Sequence, residues 1–409
     1  MTGRDRSLMS AIAIPYGAYW CTPFARWQGS LAHLHSIGFA AQVARDALGA
    51  RQIALSEFDY GVLGLTVPQR HCFYGVPWLT GQMGAGHVAG PTIMQACATS
   101  ARVLAQAGQE VASGAANCVL TITTDRVSNG PHIYYPNPLA AGGSRETEDW
   151  VLGNFERDPL AGCNMLTTAE NCARRWKVST EMQHAVVLRR HQQYLQAGLP
   201  DAEGRSFHSR YMMLPLVVSD QSGQRVIATL QGDERVHSTT AEGLARLEPV
   251  VQGGTVTYGA QTYPADGNAG MVVTTADRAR ALSRDQAVRI EILASGQART
   301  ELAYMPAAPI AAAQRALAGA GIAIKDLTAI KSHNPFALND IIFARETGAN
   351  LETINNYGCS LIWSHPQAPT GMRAIIELIE ELALLGGGYG LFHGCAAGDS
   401  AMAMVLRVH

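Results

Sequence analysis

The chain has 409 residues, of which 47% are hydrophobic and 16% are charged, and its formal net charge at pH 7 is -2. This composition is typical of a globular protein, and a charge near zero argues against nucleic acid as the main partner. No apolar run approaches the ~20 residues of a membrane span, and we recognise no signal peptide. Eight scattered cysteines without a CxxC spacing favour reduced thiols in the cytoplasm. At about 150 residues per domain, the length predicts two or three domains.

The first predicted elements alternate between strand and helix. Residues 11–19 are predicted to form a strand, residues 36–48 a helix that Gly49 ends, and residues 58–65 a second strand. This alternation indicates an α/β fold whose sheets are covered on their faces.

Cys97 precedes the most informative stretch of the chain. A helical pattern follows it and ends at Gly114, and residues 118–124 then have the pattern of a buried strand. Free N–H groups at a helix start stabilise a thiolate, so we expect a lowered pKa and a nucleophile at Cys97. The alternative is a small buried hydrophobic residue, as most cysteines are.

Two segments recur at nearly the same offset. Residues 44–61 align without gaps with residues 313–330, and Cys97 with its helix and strand corresponds to His365 with a helix over 369–385 and a strand over 389–392. The two offsets are 269 and 268 residues. The repeat predicts a duplicated α/β unit in which two equivalent helix starts, at Cys97 and His365, come together.

The sequence between the two units has a different texture. It is predicted as loop over residues 128–153, as helix over 169–197, and as short strands and turns over 201–250. Residues 126–250 are therefore predicted to form an inserted loop domain. Residues 253–275 return to strand, and a strand over 286–294 opens the second half.

Four candidate residues follow apolar strands, where α/β folds carry their functional groups: Cys97, His333, His365 and Cys395. Structural zinc is disfavoured because its usual closely spaced Cys or His pairs are absent from the sequence. The same four residues could instead carry out nucleophilic catalysis, with a Cys–His pair and a further thiol as acid and base. Each histidine alone is more often a core or capping residue, and Cys395 alone a packing residue.

The chain resembles the thiolases, the acetyl-CoA C-acyltransferases, from end to end. Residues 333–337 match their N/H-E-A-F-A motif, residues 364–371 their G-H-P-x-G-x-S/T-G motif, and residues 395–398 their final C-A-A-G motif. Further similar segments are CTPFARWQGSLA, the Cys97 segment, TTAENCARRW and GGTVTYGAQTYPADGNAG.

This resemblance implies the thiolase fold, with duplicated αβαβα halves in a five-layer core and an inserted loop domain. The N-terminal half would comprise residues 1–125, completed by about 251–280, the loop domain residues 126–250, and the C-terminal half residues 281–409. It also implies acyl-CoA and CoA as substrates, no metal or other cofactor, a cytoplasmic homodimer or tetramer, and a place in fatty acid metabolism such as β-oxidation.

The resemblance also implies a role for each site residue. Cys97 would be the acylated nucleophile, His365 would take its proton, and Cys395 would move a proton at the α-carbon. His333 would help to form one oxyanion hole, and the N–H groups of Cys97 and Ala397 would form the other. The predicted CoA-binding residues are Met165, Arg235, His237, Thr262 and Phe336.

Several positions depart from the family pattern. Cys21 replaces an arginine, Asn334 and Pro335 replace Glu-Ala, and Ser364 and Ala368 replace glycines. Asp399 also stands where a glycine is usual. These departures indicate a divergent member.

Two rival functions remain open. One is a condensing enzyme of the same fold, such as a ketoacyl synthase or an HMG-CoA synthase, although those lack the C-terminal cysteine. The other is a non-catalytic or partner-dependent acyl-CoA-binding subunit, in which the loop at residues 131–138 would contact a small partner protein.

Overall fold

The computed structural model describes residues 11–143, 145–220, 222–234 and 236–409. The strands within these residues are β1 (Ile12–Ala13), β2 (Tyr19–Cys21), β3 (Ala25–Arg26), β4 (Tyr60–Gly64), β5 (Thr92–Ile93), β6 (Cys118–Arg126), β7 (His132–Pro136), β8 (Arg145–Asp149), β9 (Leu216–Ser219), β10 (Val226–Leu230), β11 (Ala265–Thr275), β12 (Ile290–Arg299), β13 (Leu327–His333), β14 (Gly388–Ala396) and β15 (Ser400–Val408). The helices are α1 (Ser36–Ala50), α2 (Gly75–Met83), α3 (Thr99–Ser113), α4 (Leu152–Glu156), α5 (Met165–Trp176), α6 (Thr180–Ala197), α7 (Ala241–Ala245), α8 (Ala276–Leu282), α9 (Ala308–Ala320), α10 (Leu338–Thr347), α11 (Ser360–Trp363) and α12 (Gln367–Leu384).

The main sheet consists of two similar parts that meet at β1. One part has the order β5-β4-β6-β11, and the other has the order β13-β14-β15-β12. In each part a parallel pair, β4 with β6 or β13 with β14, is followed by an antiparallel neighbour, β11 or β15. The strand β1 pairs with β11 on one side and β12 on the other. This repeated topology confirms the predicted duplication.

The helices α3 and α12 pack against each other between the two parts of the sheet. The Ser100 hydroxyl in α3 donates a hydrogen bond to the Ala368 carbonyl in α12, and these two residues are also 268 positions apart. A Cβ atom at Gly371 would lie 3.0 Å from the Ser100 Cβ, so the small residue permits this close approach. The two equivalent helix starts therefore come together in direct contact, as the repeat predicts.

Strand alternation divides the apolar side chains among layers. On β15, Met402, Met404 and Leu406 face the central helices, whereas Ala403 and Val405 pack with α9 on the outer face. This is the period-two pattern of a strand buried on both sides. On the other part of the sheet, α1 and α2 cover the outer face. The result is five layers in the order helix, sheet, helix, sheet, helix.

The inserted region contains more regular structure than the sequence suggested. The predicted loop at 128–153 contains the antiparallel hairpin β7–β8 and the start of α4. The helical prediction over 169–197 is correct in type, although the structure has two helices, α5 and α6. The domain boundaries themselves remain predictions.

Two further predictions about the N-terminal elements are wrong in detail. The strand predicted over residues 11–19 is interrupted, because the chain turns at Gly17, whose φ is 84°. Gly49 does not end α1, which continues to Ala50. By contrast, Gly114 does cap α3 in the left-handed conformation, as expected.

None of the helices in the described part of the chain combines the length and the hydropathy needed to cross a bilayer.

The close approach of α9 to β12 predicts that an alanine at Gly296 in β12 destabilises the protein, unlike an alanine at Gly49 in α1. A Cβ at Gly296 would lie 2.2 Å from the Ala312 carbonyl oxygen, whereas a Cβ at Gly49 meets nothing within 4 Å. We expect Gly296→Ala to lower the free energy of unfolding by about 1–3 kcal/mol. The matched change Gly49→Ala should raise it by about 0.5–1 kcal/mol. Denaturant unfolding measures both, and equal effects would contradict the packing described.

Candidate active site

The central contact of the site joins Cys97 and His365. The His365 Nε2 atom lies 3.1 Å from the Cys97 Sγ atom. Cys97 immediately precedes the α3 N-cap, Ala98, and His365 lies just ahead of α12. The packing of the two central helices therefore brings together two side chains that are 268 residues apart in sequence.

The sequence predicts a thiolate at Cys97, whereas burial in the structure favours the neutral thiol. Burial raises the pKa of Cys97 to about 12, although the backbone N–H groups of Ala397 and of Cys97 itself bond to the sulfur and lower it in part. Cys97 also precedes the first helical residue, Thr99, rather than occupying the first turn. The predicted depression of the pKa is therefore wrong, because the loss of hydration outweighs the nearby N–H groups.

The hydrogen bonds of His365 define which nitrogen carries its proton. The Thr370 hydroxyl lies 2.7 Å from His365 Nδ1 and donates its own hydrogen to the Pro366 carbonyl at 2.6 Å. Nδ1 must then be the donor, which leaves the Nε2 lone pair facing the Cys97 thiol. Burial lowers the pKa of His365 to about 3. The resting pair is a neutral thiol and a neutral imidazole acting as hydrogen-bond acceptor.

Asp125, which the sequence reading did not single out, connects the two halves at this point. Its carboxylate at the end of β6 accepts hydrogen bonds from the Thr66 N–H and hydroxyl, from the Val67 N–H, and from the Ala368 N–H at 2.6 Å. Ala368 lies in the first turn of α12, three residues after His365. Asp125 therefore fixes the start of α12, and with it His365, relative to the first half.

His333 lies beside His365 rather than among the residues that line the cavity. The two rings stack with centroids 4.0 Å apart. His333 Nδ1 lies 2.9 Å from the Ser360 Oγ atom, and its buried Nε2 has no hydrogen-bond partner among the described residues. Burial and the neighbouring His365 and His393 hold the pKa of His333 well below its usual range. The Ser360 hydroxyl also has Asn334 Oδ1 as an acceptor at 3.2 Å, so its single hydrogen does not fix which His333 nitrogen carries the proton.

Cys395 and Ala397 complete the group around Cys97. Cys395 is buried at the end of β14, and burial together with Cys97 raises its pKa well above its usual range. The Asn339 side-chain amide donates a hydrogen bond to the Cys395 sulfur at 3.3 Å. This asparagine is a second residue that the sequence reading missed. The backbone N–H groups of Ala397 and of Cys97 itself both bond to the Cys97 sulfur.

Three of these residues could also hold a metal ion. Ligand atoms of Cys97, His333 and His365 all lie within 4.8 Å of one another. Thiolate and imidazole are ligands that zinc favours. The same atoms form the proposed catalytic group, so bound zinc and a free nucleophile exclude each other.

A cavity of about 700 Å³ gives access to the sulfur atoms. Its described lining includes Cys97, His365, Cys395 and Ala397, and it includes three of the predicted CoA-binding residues, Met165, Thr262 and Phe336. The Thr262 hydroxyl already donates to the Ser360 carbonyl at 2.5 Å, so only its lone pairs are free to accept from a ligand.

Of the other two predicted CoA-binding residues, only His237 can be compared with this cavity. His237 is exposed and is not among the described residues of its lining. Arg235 lies outside the described residues. Their roles remain predictions.

Two departures from the family pattern place side chains in backbone conformations that glycine prefers. Ser364, next to His365, has φ 80° and ψ -176°, and Asp399 has φ 51°. The Asp399 carboxylate accepts hydrogen bonds from the N–H groups of Ala303 and Tyr304, which offsets part of its strain. The turn that it holds leads to Met305, another cavity-lining residue.

The neutral Cys97–His365 pair predicts a steep pH dependence of alkylation. Below a pKa of about 12, the thiolate fraction of Cys97 grows about tenfold with each pH unit. Iodoacetamide labelling of Cys97, followed by peptide mass spectrometry, should therefore accelerate by about that factor per unit from pH 7 to 9. Cys97→Ala supplies the background, and a rate independent of pH would reveal a preformed thiolate.

The strain at Ser364 predicts a stabilising substitution. Its backbone lies in a region that is almost restricted to glycine and costs other residues about 1–3 kcal/mol. We expect Ser364→Gly to raise the free energy of unfolding by about 1 kcal/mol after the entropy cost of glycine. The control Ser113→Gly, in the last residue of α3, should lower it. A loss of stability in Ser364→Gly would contradict the strained geometry.

The chain matches two family models in succession. The model "Thiolase, N-terminal domain" matches residues 18–277, and "Thiolase, C-terminal domain" matches residues 286–408. An acetyl-CoA acetyltransferase of Paracoccus denitrificans is 26% identical over 94% of this chain and 97% of its own length. A beta-ketoadipyl-CoA thiolase of Pseudomonas knackmussii is also 26% identical, over 94% of this chain and 96% of its own.

Solved structures have the same fold. The human mitochondrial 3-ketoacyl-CoA thiolase in complex with CoA superposes with a TM-score of 0.86 at 24% identity, over 98% of this chain and 99% of that one. The Bacillus anthracis acetyl-CoA acetyltransferase superposes with a TM-score of 0.87 at 22% identity, over the same shares. The duplicated five-layer architecture is therefore the thiolase fold, and the chain belongs to the thiolase family of acyltransferases.

Proposed function

We propose that the protein is an acyl-CoA C-acyltransferase that cleaves 3-oxoacyl-CoA with CoA, or condenses acyl-CoAs in reverse, through an acyl-Cys97 intermediate. The observation that carries the proposal is the 3.1 Å contact of His365 Nε2 with Cys97 Sγ in a cavity that also contains Cys395. The names of the relatives, acetyl-CoA acetyltransferase and thiolase, support the substrate class.

The first step forms the bond to sulfur. Cys97 Sγ attacks the 3-keto carbon while its proton passes to His365 Nε2. Because burial raises the pKa of Cys97 and lowers that of His365, this proton transfer is unfavourable alone and is coupled to formation of the carbon–sulfur bond. Fixed N–H donors stabilise the resulting oxyanion, at about 3 kcal/mol for each donor.

The next steps use the second sulfur. When the C2–C3 bond breaks, the electron pair forms the enolate of acetyl-CoA, and Cys395 donates a proton to its α-carbon. The Cys395 thiolate then removes the thiol proton of incoming CoA. CoA sulfur attacks the acyl group, Cys97 leaves as a thiolate, and His365 returns its proton. Two thiols with separate proton duties thus allow the reaction to run in both directions.

In the two alternative functions, Cys395 would have no catalytic role. A condensing enzyme that decarboxylates its substrate needs no thiol acid at this position, and a non-catalytic binding subunit needs neither cysteine. The burial of Cys395 next to Cys97 favours the thiolase reaction. We propose that the reaction needs no cofactor, and that the protein is a cytoplasmic homodimer or tetramer, as the resemblance implies.

Intact-mass measurement after incubation with acetyl-CoA tests this function. The wild-type protein should gain one acetyl group, and Cys97→Ala should gain none. Cys395→Ala should still be acetylated but should exchange the α-protons of acetyl-CoA with D2O at least about 100-fold more slowly.

Cys118→Ala is the matched control, because Cys118 is also buried but lies in the layer between β6 and the outer helices. It should retain both activities. Absence of acetylation in the wild-type protein would overturn the catalytic function, and normal exchange in Cys395→Ala would remove the role given to that residue.

A further inference from the structure

Asn339 makes a fixed hydrogen bond to Cys395 from the first turn of α10. Its side-chain Nδ2 lies 3.3 Å from Cys395 Sγ and 3.4 Å from the Pro306 carbonyl oxygen. Its Oδ1 accepts the Phe336 N–H at 3.1 Å. Since an N–H must face the carboxamide oxygen, the amide cannot be reversed, and a donor necessarily faces the sulfur.

Apart from the Asn339 amide and the backbone N–H of Cys395 itself, the groups that act on Cys395 oppose a negative charge. Cys395 is fully buried, and Cys97 ahead of α3 and Cys172 in α5 also raise its pKa. The Asn339 hydrogen bond acts in the opposite direction and lowers it. An amide N–H donates more strongly to a thiolate than to a thiol, because hydrogen bonds to ionised partners are about twice as strong as neutral ones.

We propose that Asn339 is a positioning residue that orients Cys395 Sγ and stabilises its thiolate during proton transfer at the α-carbon. The inference rests on the proposed function. In the condensation direction, the Cys395 thiolate removes a proton from the α-carbon, which leaves a neutral Cys395 thiol and the enolate. The Asn339 N–H bonds to the sulfur both before and after this transfer. The bond is stronger before the transfer, when the sulfur is a thiolate.

Asn339 also has a structural role that the test must separate from this one. Its carboxamide links the chain at Phe336, the turn at Pro306 and β14. A loss of activity on substitution would therefore be ambiguous by itself. The two roles differ in pH dependence, because only stabilisation of a thiolate changes the pH at which proton transfer reaches half of its maximum rate.

The test uses Asn339→Asp, which keeps the size and the acceptor oxygen but replaces the donor with a second oxygen. We expect α-proton exchange of acetyl-CoA in D2O to fall about 10- to 100-fold at neutral pH. The pH of half-maximal exchange should rise by about one unit or more. Acetylation of Cys97, measured by intact mass, should change less than about twofold, because Asn339 does not contact that sulfur.

Asn268→Asp is the matched control. The Asn268 amide is equally buried, accepts from Trp20 Nε1 and donates to the Thr123 carbonyl within the first half of the sheet. Its substitution changes the same atoms, so it should lower the thermal unfolding midpoint without moving the pH profile of exchange. Asn339→Ala, made in parallel, removes the donor without adding charge and should move the profile in the same direction, so the shift is separated from the repulsion of a new carboxylate.

The outcomes separate the inference from the proposed function. An unchanged pH profile in the folded Asn339 variants, or a parallel loss of Cys97 acetylation and exchange, would overturn the role of Asn339. A wild-type protein that shows neither acetylation nor exchange would instead overturn the proposed function.

Discussion

The structure depends on one junction, where the carboxylate of Asp125 holds the start of α12 against the first half of the molecule. Two hydrogen bonds join the two halves at one residue, Ala368. Its N–H donates to Asp125, and its carbonyl accepts from the Ser100 hydroxyl. Because Cys97 and His365 lie only a few residues from these contacts, their separation follows from this junction. Burial raises the pKa of Asp125, and its four hydrogen bonds offset only part of that effect.

Burial of Cys97 and His365 also determines their protonation states. A thiol and an imidazole that share an apolar layer between two sheets lose hydration, so both remain neutral. In the proposed reaction, the thiolate of Cys97 is therefore formed together with the new carbon–sulfur bond rather than before it. That step needs preorganised N–H donors, and we propose that the N–H groups of Ala397 and Cys97 supply them.

Structural features that correspond to a repeat or a local pattern in the sequence could be predicted. Duplication left a common offset at Cys97 and His365, so their convergence could be anticipated, whereas Asp125 meets Ala368 from 243 positions away without any recurring pattern. The pKa of Cys97 could not be anticipated, because it depends on how deeply other segments bury the sulfur. Asn339 could have been noticed as a polar residue within an apolar helix pattern, but its partner Cys395 is 56 residues distant.

The account is tested most directly by a crystal structure of the Cys395→Ala variant soaked with acetyl-CoA. The account predicts an acetyl group bonded to Cys97 Sγ, with its carbonyl oxygen within hydrogen-bond distance of the Cys97 and Ala397 N–H groups. The acetyl methyl carbon should face position 395. An unmodified Cys97, or a methyl carbon that faces away from position 395, would contradict the convergence of two sulfurs on one thioester.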